Sequence, residues 1–318
     1  ILFLAYFLDR SDKSESSFSR FAKALTIMVV PMLLILSQPD LGTSLVYIPI
    51  FLGMALIAGI PLRYINIVLV GGGLLALFTV LPLWEENIFR HPVPAIRILT
   101  DMRLTLITMV TLSIIAALSL LGRLWYKNKY YYWITYCTGI VLFALIGSIG
   151  ASRVIKDYQI MRLIVFLDPS VDPLGSGWNI IQSITAIGSG GFSGLGFLQG
   201  TQSHYRFLPQ QSTDFIFSIL SEEWGFVGGL TVFSLYLVIM IRGIIIIRKT
   251  ENRFGTLIAT GIVSMFLFHF TVNVGMVMGI MPITGIPLLF LSYGGSSLWT
   301  ALSATGLLMS INMRRLDH

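Results

Sequence analysis

Apolar residues fall along this chain in long, nearly unbroken runs, not in the alternation of a half-buried strand or the narrow stripe of a surface helix. A helix needs about 20 mostly apolar residues to cross a bilayer. Runs that approach or exceed that length lie near 21–36, 43–60, 64–83, 103–121, 131–150, 214–241, 256–280 and 294–312. The pattern predicts an all-α polytopic membrane protein, with 1–318 forming a single integral membrane domain of eight spans. The apolar stretch Ile1 to Leu8 is too short to cross and reads as the tail of a further span whose beginning is missing. The first full run ends at Gln38-Pro39-Asp40, where it is expected to bend or stop.

Composition supports this reading. Hydrophobic residues make up 55% of the chain and charged residues only 11%, with a mean hydropathy of +0.82. Ordinary soluble domains carry roughly 45–50% and about 25%. An ordinary soluble enzyme, a disordered chain and a coiled coil are thereby excluded. The net charge of +6 fits cytoplasmic loops enriched in Lys and Arg. No basic run interleaved with exposed aromatics stands out, so no nucleic acid partner is expected. The single cysteine, Cys137, excludes an internal disulfide and reads as an inert buried thiol inside an apolar run.

Loop charges orient the spans. Arg10, Lys13, Arg20 and Lys23, then Arg63, then Arg123, Lys127 and Lys129, then Arg242, Arg248, Lys249 and Arg253, and finally Arg314 and Arg315 all fall on one side when spans are counted. That side is cytoplasmic by the positive-inside rule. Loop 122–130 is then cytoplasmic, and a cysteine placed at Asn128 should be shielded from impermeant thiol reagents outside the cell. The long segment 151–213 falls on the opposite, extracytoplasmic side. It holds Asp168-Pro169, Asp172-Pro173, Gly188-Ser189-Gly190-Gly191, Gly194, Gly196 and Gly200, interrupted by Ile180, Ile181, Ile184, Ile187, Phe192 and Phe197. Such a loop is expected to fold against the membrane surface or re-enter it. Its glycines serve either tight turns or close approach of backbone to a ligand.

Ionisable groups inside spans are costly and mark candidate sites. Asp214, Glu222 and Glu223 open the 214–241 run, and Asp40 sits between the first two runs. Asp214 and Glu222 are eight residues apart, about 12 Å along a helix, and could line one cavity. On physics alone Asp214 fits equally an interfacial acid near a helix N-terminus and a functional group. Glu222 and Glu223 read as internal polar contacts that pack the bundle. His269 reads as a hydrogen-bonded packing residue, since no second ligand stands at helical spacing. His91 and His204 have no visible partner. Walker and nucleophile-elbow patterns are absent.

At these residues the chain resembles a known family. Gln38-Pro39-Asp40-Leu41-Gly42-Thr43-Ser44 is similar to a signature of the SEDS family, the RodA and FtsW proteins of bacterial wall synthesis. The resemblance continues through Tyr158-Gln159, Arg162, Phe166-Leu167-Asp168-Pro169, Gly177-Trp178-Asn179, Gln182-Ser183 and Ala186-Ile187-Gly188-Ser189-Gly190-Gly191. It is densest at Gly200-Thr201-Gln202-Ser203, Leu208-Pro209, Thr213-Asp214-Phe215-Ile216-Phe217 and Glu222-Glu223. Asn273, Gly275-Met276, Gly279, Pro282, Gly285-Ile286-Pro287 and Ser292-Tyr293-Gly294-Gly295-Ser296-Ser297 complete it. The Gly-Thr-Gln-Ser stretch is more like the elongation branch, RodA, than the division branch.

The resemblance implies a glycosyltransferase that polymerises lipid II into glycan strands during cell elongation. It would work in the bacterial inner membrane beside a class B penicillin-binding protein and the elongation machinery. Asp214 matches the aspartate of the family's Thr-Asp-Phe motif and is implied as the catalytic acid-base group. Arg162, Gln182, Ser183, Ser189, Gln202, Arg206, Asp40 and Arg153 are the expected substrate contacts, and Glu222, Glu223, Asn273 and Ser296 the expected structural polar residues. A divalent cation, Mg or Mn, shared with the substrate pyrophosphate is the expected cofactor, with no organic one. Three departures stand out. About three N-terminal spans of the family fold are missing. Residues 84–150 hold an extra pair of spans, and Leu195 stands where the family commonly has lysine. A lipid II flippase, a division-type paralogue and an inactive scaffold are the rival readings.

Overall fold

The computed structural model describes residues 1–11, 16–38, 40–87, 96–154, 157–205 and 207–314, and the described residues contain helices and no strand. In chain order the helices are α1 (Leu2–Arg10), α2 (Ser17–Leu36), α3 (Leu41–Leu45), α4 (Tyr47–Ile57), α5 (Leu62–Asn87), α6 (Arg97–Thr100), α7 (Met102–Tyr126), α8 (Lys129–Val154) and α9 (Asp157–Leu167). They continue with α10 (Ser176–Ser189), α11 (Thr201–His204), α12 (Ile216–Lys249), α13 (Arg253–Val277) and α14 (Gly295–Arg314). The chain groups into two compact units, 1–62 with 172–318, and 63–171.

Among the described residues, six helices are long and apolar enough to cross a membrane: α2, α5, α7, α8, α12 and α13. The other two expected spans differ for local reasons. The 43–60 run is broken into α3 and α4 at Val46, where Pro49 has no N–H to give to the preceding turn. The 294–312 run does form α14, but Ser296, Ser297, Thr300, Ser303, Thr305, Ser310 and Asn312 dilute its apolar surface. The 151–213 segment, expected as a loop, is largely helical. The apolar residues Ile180, Ile184 and Ile187 recur at helical spacing and build α10.

In the first unit α13 is the core. Most of it is buried, and it packs against α12, α4, α1, α14 and α10. Small residues set the spacing: a Cβ on Gly53 of α4 would fall 2.3 Å from Ser264 Oγ of α13. Close crossing at small residues is how helices associate where lipid removes the hydrophobic drive. In the second unit α7 and α8 form an antiparallel hairpin that turns at Lys127, in the left-handed region at φ 50°. Cys137, expected to be buried, is exposed on α8.

Candidate active site

Helix α12 is broken. Gly225 has φ 62° and ψ −157°, so the carbonyls before it and the N–H groups after it lose their helical partners. A lone break inside a membrane leaves costly unpaired groups. The glycine-rich loop supplies the partners. Leu195 and Gly196 N–H donate to the carbonyls of Glu222 (3.0 Å) and Glu223 (3.0 Å), and Phe226 and Val227 N–H donate to Gly191 O (2.9 Å) and Phe192 O (3.2 Å). This main-chain docking needs glycine on both sides. A Cβ on Gly225 would fall 2.3 Å from Gly194 N, and one on Gly194 2.1 Å from Glu223 O.

The glutamates at the break fix the next loop. The fully buried Glu222 carboxylate accepts from Gln202 N–H (2.8 Å), Ser203 N–H (3.1 Å) and Thr201 Oγ1 (3.2 Å). It thereby caps α11 from a distance in sequence, as a local Asp or Ser would cap a helix N-terminus. Glu223 is also buried and accepts the Leu198 N–H. Gln202 sits half-buried with its Oε1 unpaired.

A second cluster holds the main chain at Asp214. Asn273, fully buried on α13, donates from Nδ2 to both Asp214 O (2.9 Å) and Ile286 O (2.8 Å). Ser292 Oγ donates to Thr213 O (2.6 Å) and accepts from Leu288 N–H (2.7 Å), while Tyr293 N–H donates to Ser212 O (2.8 Å). Tyr236 of α12 donates its hydroxyl to Leu289 O. Segment 284–293 is thus pinned between 212–214, α12 and α13. The half-exposed Asp214 carboxylate faces Gly285, where a Cβ would lie 3.5 Å from Asp214 Oδ2. Gly285 has φ 72°, a backbone conformation that favours glycine at this contact. Gly42 of α3 approaches the same segment so closely that a Cβ would meet Thr284 O at 2.3 Å.

Beside this cluster lies a cavity of about 910 Å³, lined by α1, α2, Thr43, Tyr47, His269, Ile286, Pro287 and the start of α14. Its walls are mostly apolar. His269 gives its Nδ1 to Met265 O at 2.9 Å, a packing bond inside α13.

The remaining expected contacts divide. Ser183 is fully buried, bonded to Ser218 Oγ (2.6 Å) and Val277 O (2.7 Å). There it ties α10 to α12 and α13. Asp40 caps α3 through Thr43 N–H (3.0 Å) and Thr43 Oγ1 (2.6 Å). Ser189 bonds back to Ala186 O (2.8 Å), Gln182 is half-exposed on α10, and Ser296 lines the cavity. Arg153 and Arg162 belong to the second unit, and Arg206 lies outside the described residues. Asp168, also in the second unit, has its carboxyl held below the usual range by the Ser170 hydroxyl and N–H.

Among the described residues, no group of three or more His, Cys, Asp or Glu gathers to hold a metal. Sequence reasoning missed the roles of Gly225, Ser218, Tyr236 and Ser292. A glycine inside the most apolar run, two positions after Glu223, is the one signal that pointed to the break.

A family model described as a cell cycle protein, covering FtsW, RodA and SpoVE, matches residues 1–108 and 93–316. The chain is 59% identical to "Peptidoglycan glycosyltransferase RodA" of Treponema pallidum (strain Nichols), over 99% of this chain and 73% of that protein. It is 45% identical to "Peptidoglycan glycosyltransferase MrdB" of Escherichia coli (strain K12), over 55% of this chain and 48% of that protein. The chain therefore spans about half the length of the second relative. A solved peptidoglycan synthase complex that coordinates polymerisation and crosslinking is similar over 100% of this chain and 87% of its own, at 22% identity and a TM-score of 0.49.

Proposed function

This chain belongs to the family of FtsW, RodA and SpoVE, and from that premise we propose that it polymerises lipid II into glycan strands with Asp214 as general base. It is a multi-pass membrane protein and a peptidoglycan glycosyltransferase of the RodA type. The observation that carries this is 59% identity to a protein of that name over nearly the whole chain.

The reaction joins two sugars. The 4-hydroxyl of one lipid-linked sugar attacks the anomeric carbon of the growing strand, its O–H proton passes to the Asp214 carboxylate, and the bond from that carbon to undecaprenyl pyrophosphate breaks. A carboxylate suits this when its main chain is fixed and one face is open. Asn273 and Ser292 provide the first condition, and the half-exposed position of Asp214 supports the second. The apolar cavity beside Ile286 suits part of the lipid chain. Among the described residues no cluster of His, Cys, Asp or Glu cages a metal, and Mg or Mn would accompany the pyrophosphate as part of the substrate. The site works on the extracytoplasmic face of the bacterial inner membrane, beside a class B penicillin-binding protein that crosslinks the strands.

The test is purified protein with lipid II in detergent. Glycan polymer is expected from the wild type. Asp214→Asn should lower the rate about 10²–10⁴-fold, the usual contribution of general-base catalysis, with thermal unfolding unchanged. Near-wild-type polymerisation by the variant would move the base to Asp40, Asp168 or Asp172. No polymer from the wild type, together with lipid II crossing vesicle bilayers, would favour a flippase.

A further inference from the structure

At the turn of the α7–α8 hairpin, Arg123, Lys127, Asn128, Lys129, Tyr132 and Trp133 enclose a pocket of about 410 Å³. The Arg123 guanidinium lies over the Tyr132 ring, 4.9 Å from its centre. Tyr132 meets Trp133 edge-on at 5.6 Å and stacks on Tyr136 at 6.2 Å. Arg63 reaches the same aromatic ladder through the Tyr132 hydroxyl, and Tyr136 ties it down by donating to Arg63 O at 2.6 Å. The structure leaves Trp125, Tyr126, Tyr130 and Trp133 exposed among the cations.

We propose that this pocket binds the phosphate headgroup of an anionic phospholipid. Three observations carry the assignment. First, the pocket gathers three cations, and residues 102–154 contain no Asp or Glu to neutralise them. Second, both helices are membrane-crossing candidates that end at this turn, which sets the cations and rings at headgroup depth. Aromatic side chains favour that depth, and basic pockets between spans bind lipid phosphates. Third, the helix surfaces leading from the pocket are apolar and exposed at Leu118, Leu121, Leu124 and Ile134. Acyl chains can lie along them. A free phosphate would use the cations but not that surface. The arginine fork engages the phosphate oxygens in pairs, and the lysines act as point charges.

The test is native mass spectrometry of the full chain in detergent, titrated with phosphatidylglycerol or phosphatidylcholine. The wild type should retain phosphatidylglycerol in clear excess. A basic residue near a charged membrane surface contributes about 1 kcal/mol, so Lys127→Gln should lower that retention about fivefold. The triple variant R123Q/K127Q/K129Q should lower it about a hundredfold. Lys127 and Lys129 are exposed, so the single variants cannot act by unfolding the hairpin, and an unchanged helical circular dichroism signal verifies this. Equal retention of the two lipids would overturn the proposal, as would a triple variant that retains phosphatidylglycerol like the wild type. Displacement of the lipid by equimolar inorganic phosphate would assign the pocket to a free anion instead. Displacement by an acidic peptide would assign it to a protein partner.

Discussion

Around Gly225, four main-chain hydrogen bonds and the Glu222 carboxylate join the α12 break to residues 191–203. Along α7 and α8 the hydroxyls mostly turn back to their own helix: Thr111 to Ile107 O (2.8 Å), Ser113 to Met109 O (2.7 Å), Thr138 to Ile134 O (2.7 Å). The hairpin could lose most of these and remain a hairpin, because each α-helix satisfies its own backbone. The break could not. Its backbone groups have partners only while the loop is docked, so loop and helix stand or fall together. Function is placed beside the cooperative region, and the hairpin is left free to carry an exposed surface.

The sharpest way to break that contrast is Gly225→Ala. The methyl would meet Gly194 N at 2.3 Å and Phe192 O at 2.7 Å, in a backbone conformation that suits glycine. Strain and overpacking each cost about 1–3 kcal/mol, so roughly 2–6 kcal/mol is expected. Thermal unfolding in detergent should show little folded protein. An alanine variant as stable as wild type would mean the loop docks without the break. In the hairpin, Gly139→Ala meets nothing within 4 Å and should leave the unfolding temperature unchanged.

Comparable in size is Glu222→Ala, which leaves the part-buried Gln202 and Ser203 N–H groups without this acceptor. At about 1–3 kcal/mol for each unsatisfied group, the expected loss is roughly 2–6 kcal/mol. Glu222→Gln keeps one acceptor oxygen and should recover about half. If alanine and glutamine behave alike, the carboxylate does not cap α11. Protease sensitivity at 197–205 measures this directly.

Both effects show what could be read in the chain and what could not. The spans follow from hydropathy because a membrane helix satisfies itself, so a local pattern suffices. The order of motifs pointed to Asp214 and to Glu222. It could not show that Ser183 faces Ser218, because which face of α10 is buried depends on α12 and α13. The same holds for Asn273. Its sequence position marks a polar residue in a span, and only the fold shows one amide donating to two carbonyls 72 residues apart in the chain, at Asp214 and Ile286.

Asn273→Ala should therefore act on rate as well as stability. Losing two hydrogen bonds of about 1 kcal/mol each lowers stability by roughly 2 kcal/mol. Asp214 also loses the anchor on its own carbonyl. A misplacement of about 1 Å can cost a hundredfold, so the polymerisation rate per folded molecule should fall, with kcat affected more than KM. A variant that lowers the amount of folded protein but not its rate would make Asn273 a packing residue only.

The smallest effect belongs to the hairpin. Ser119, buried on α7, donates to Tyr131 O of α8 at 2.7 Å and receives Thr135 Oγ1 at 3.0 Å. These hydroxyl bonds cross between the two helices, so they are the fairest counterpart to the bonds at the break. Interhelical hydrogen bonds in membranes average about 0.6 kcal/mol and reach roughly 2 kcal/mol. Ser119→Ala removes the donor, yet Thr135 keeps Tyr131 O at 2.9 Å, so neither remaining group is stranded. The expected cost is about 0.6 kcal/mol with polymerisation unchanged. The ring of Tyr131 already packs against Gly122, where a Cβ would fall 2.7 Å from Tyr131 Cε1, and that contact survives the change. A loss as large as that of Glu222→Ala would mean the hairpin is held by its polar crossing and not by apolar fit. The contrast between the two regions would then collapse.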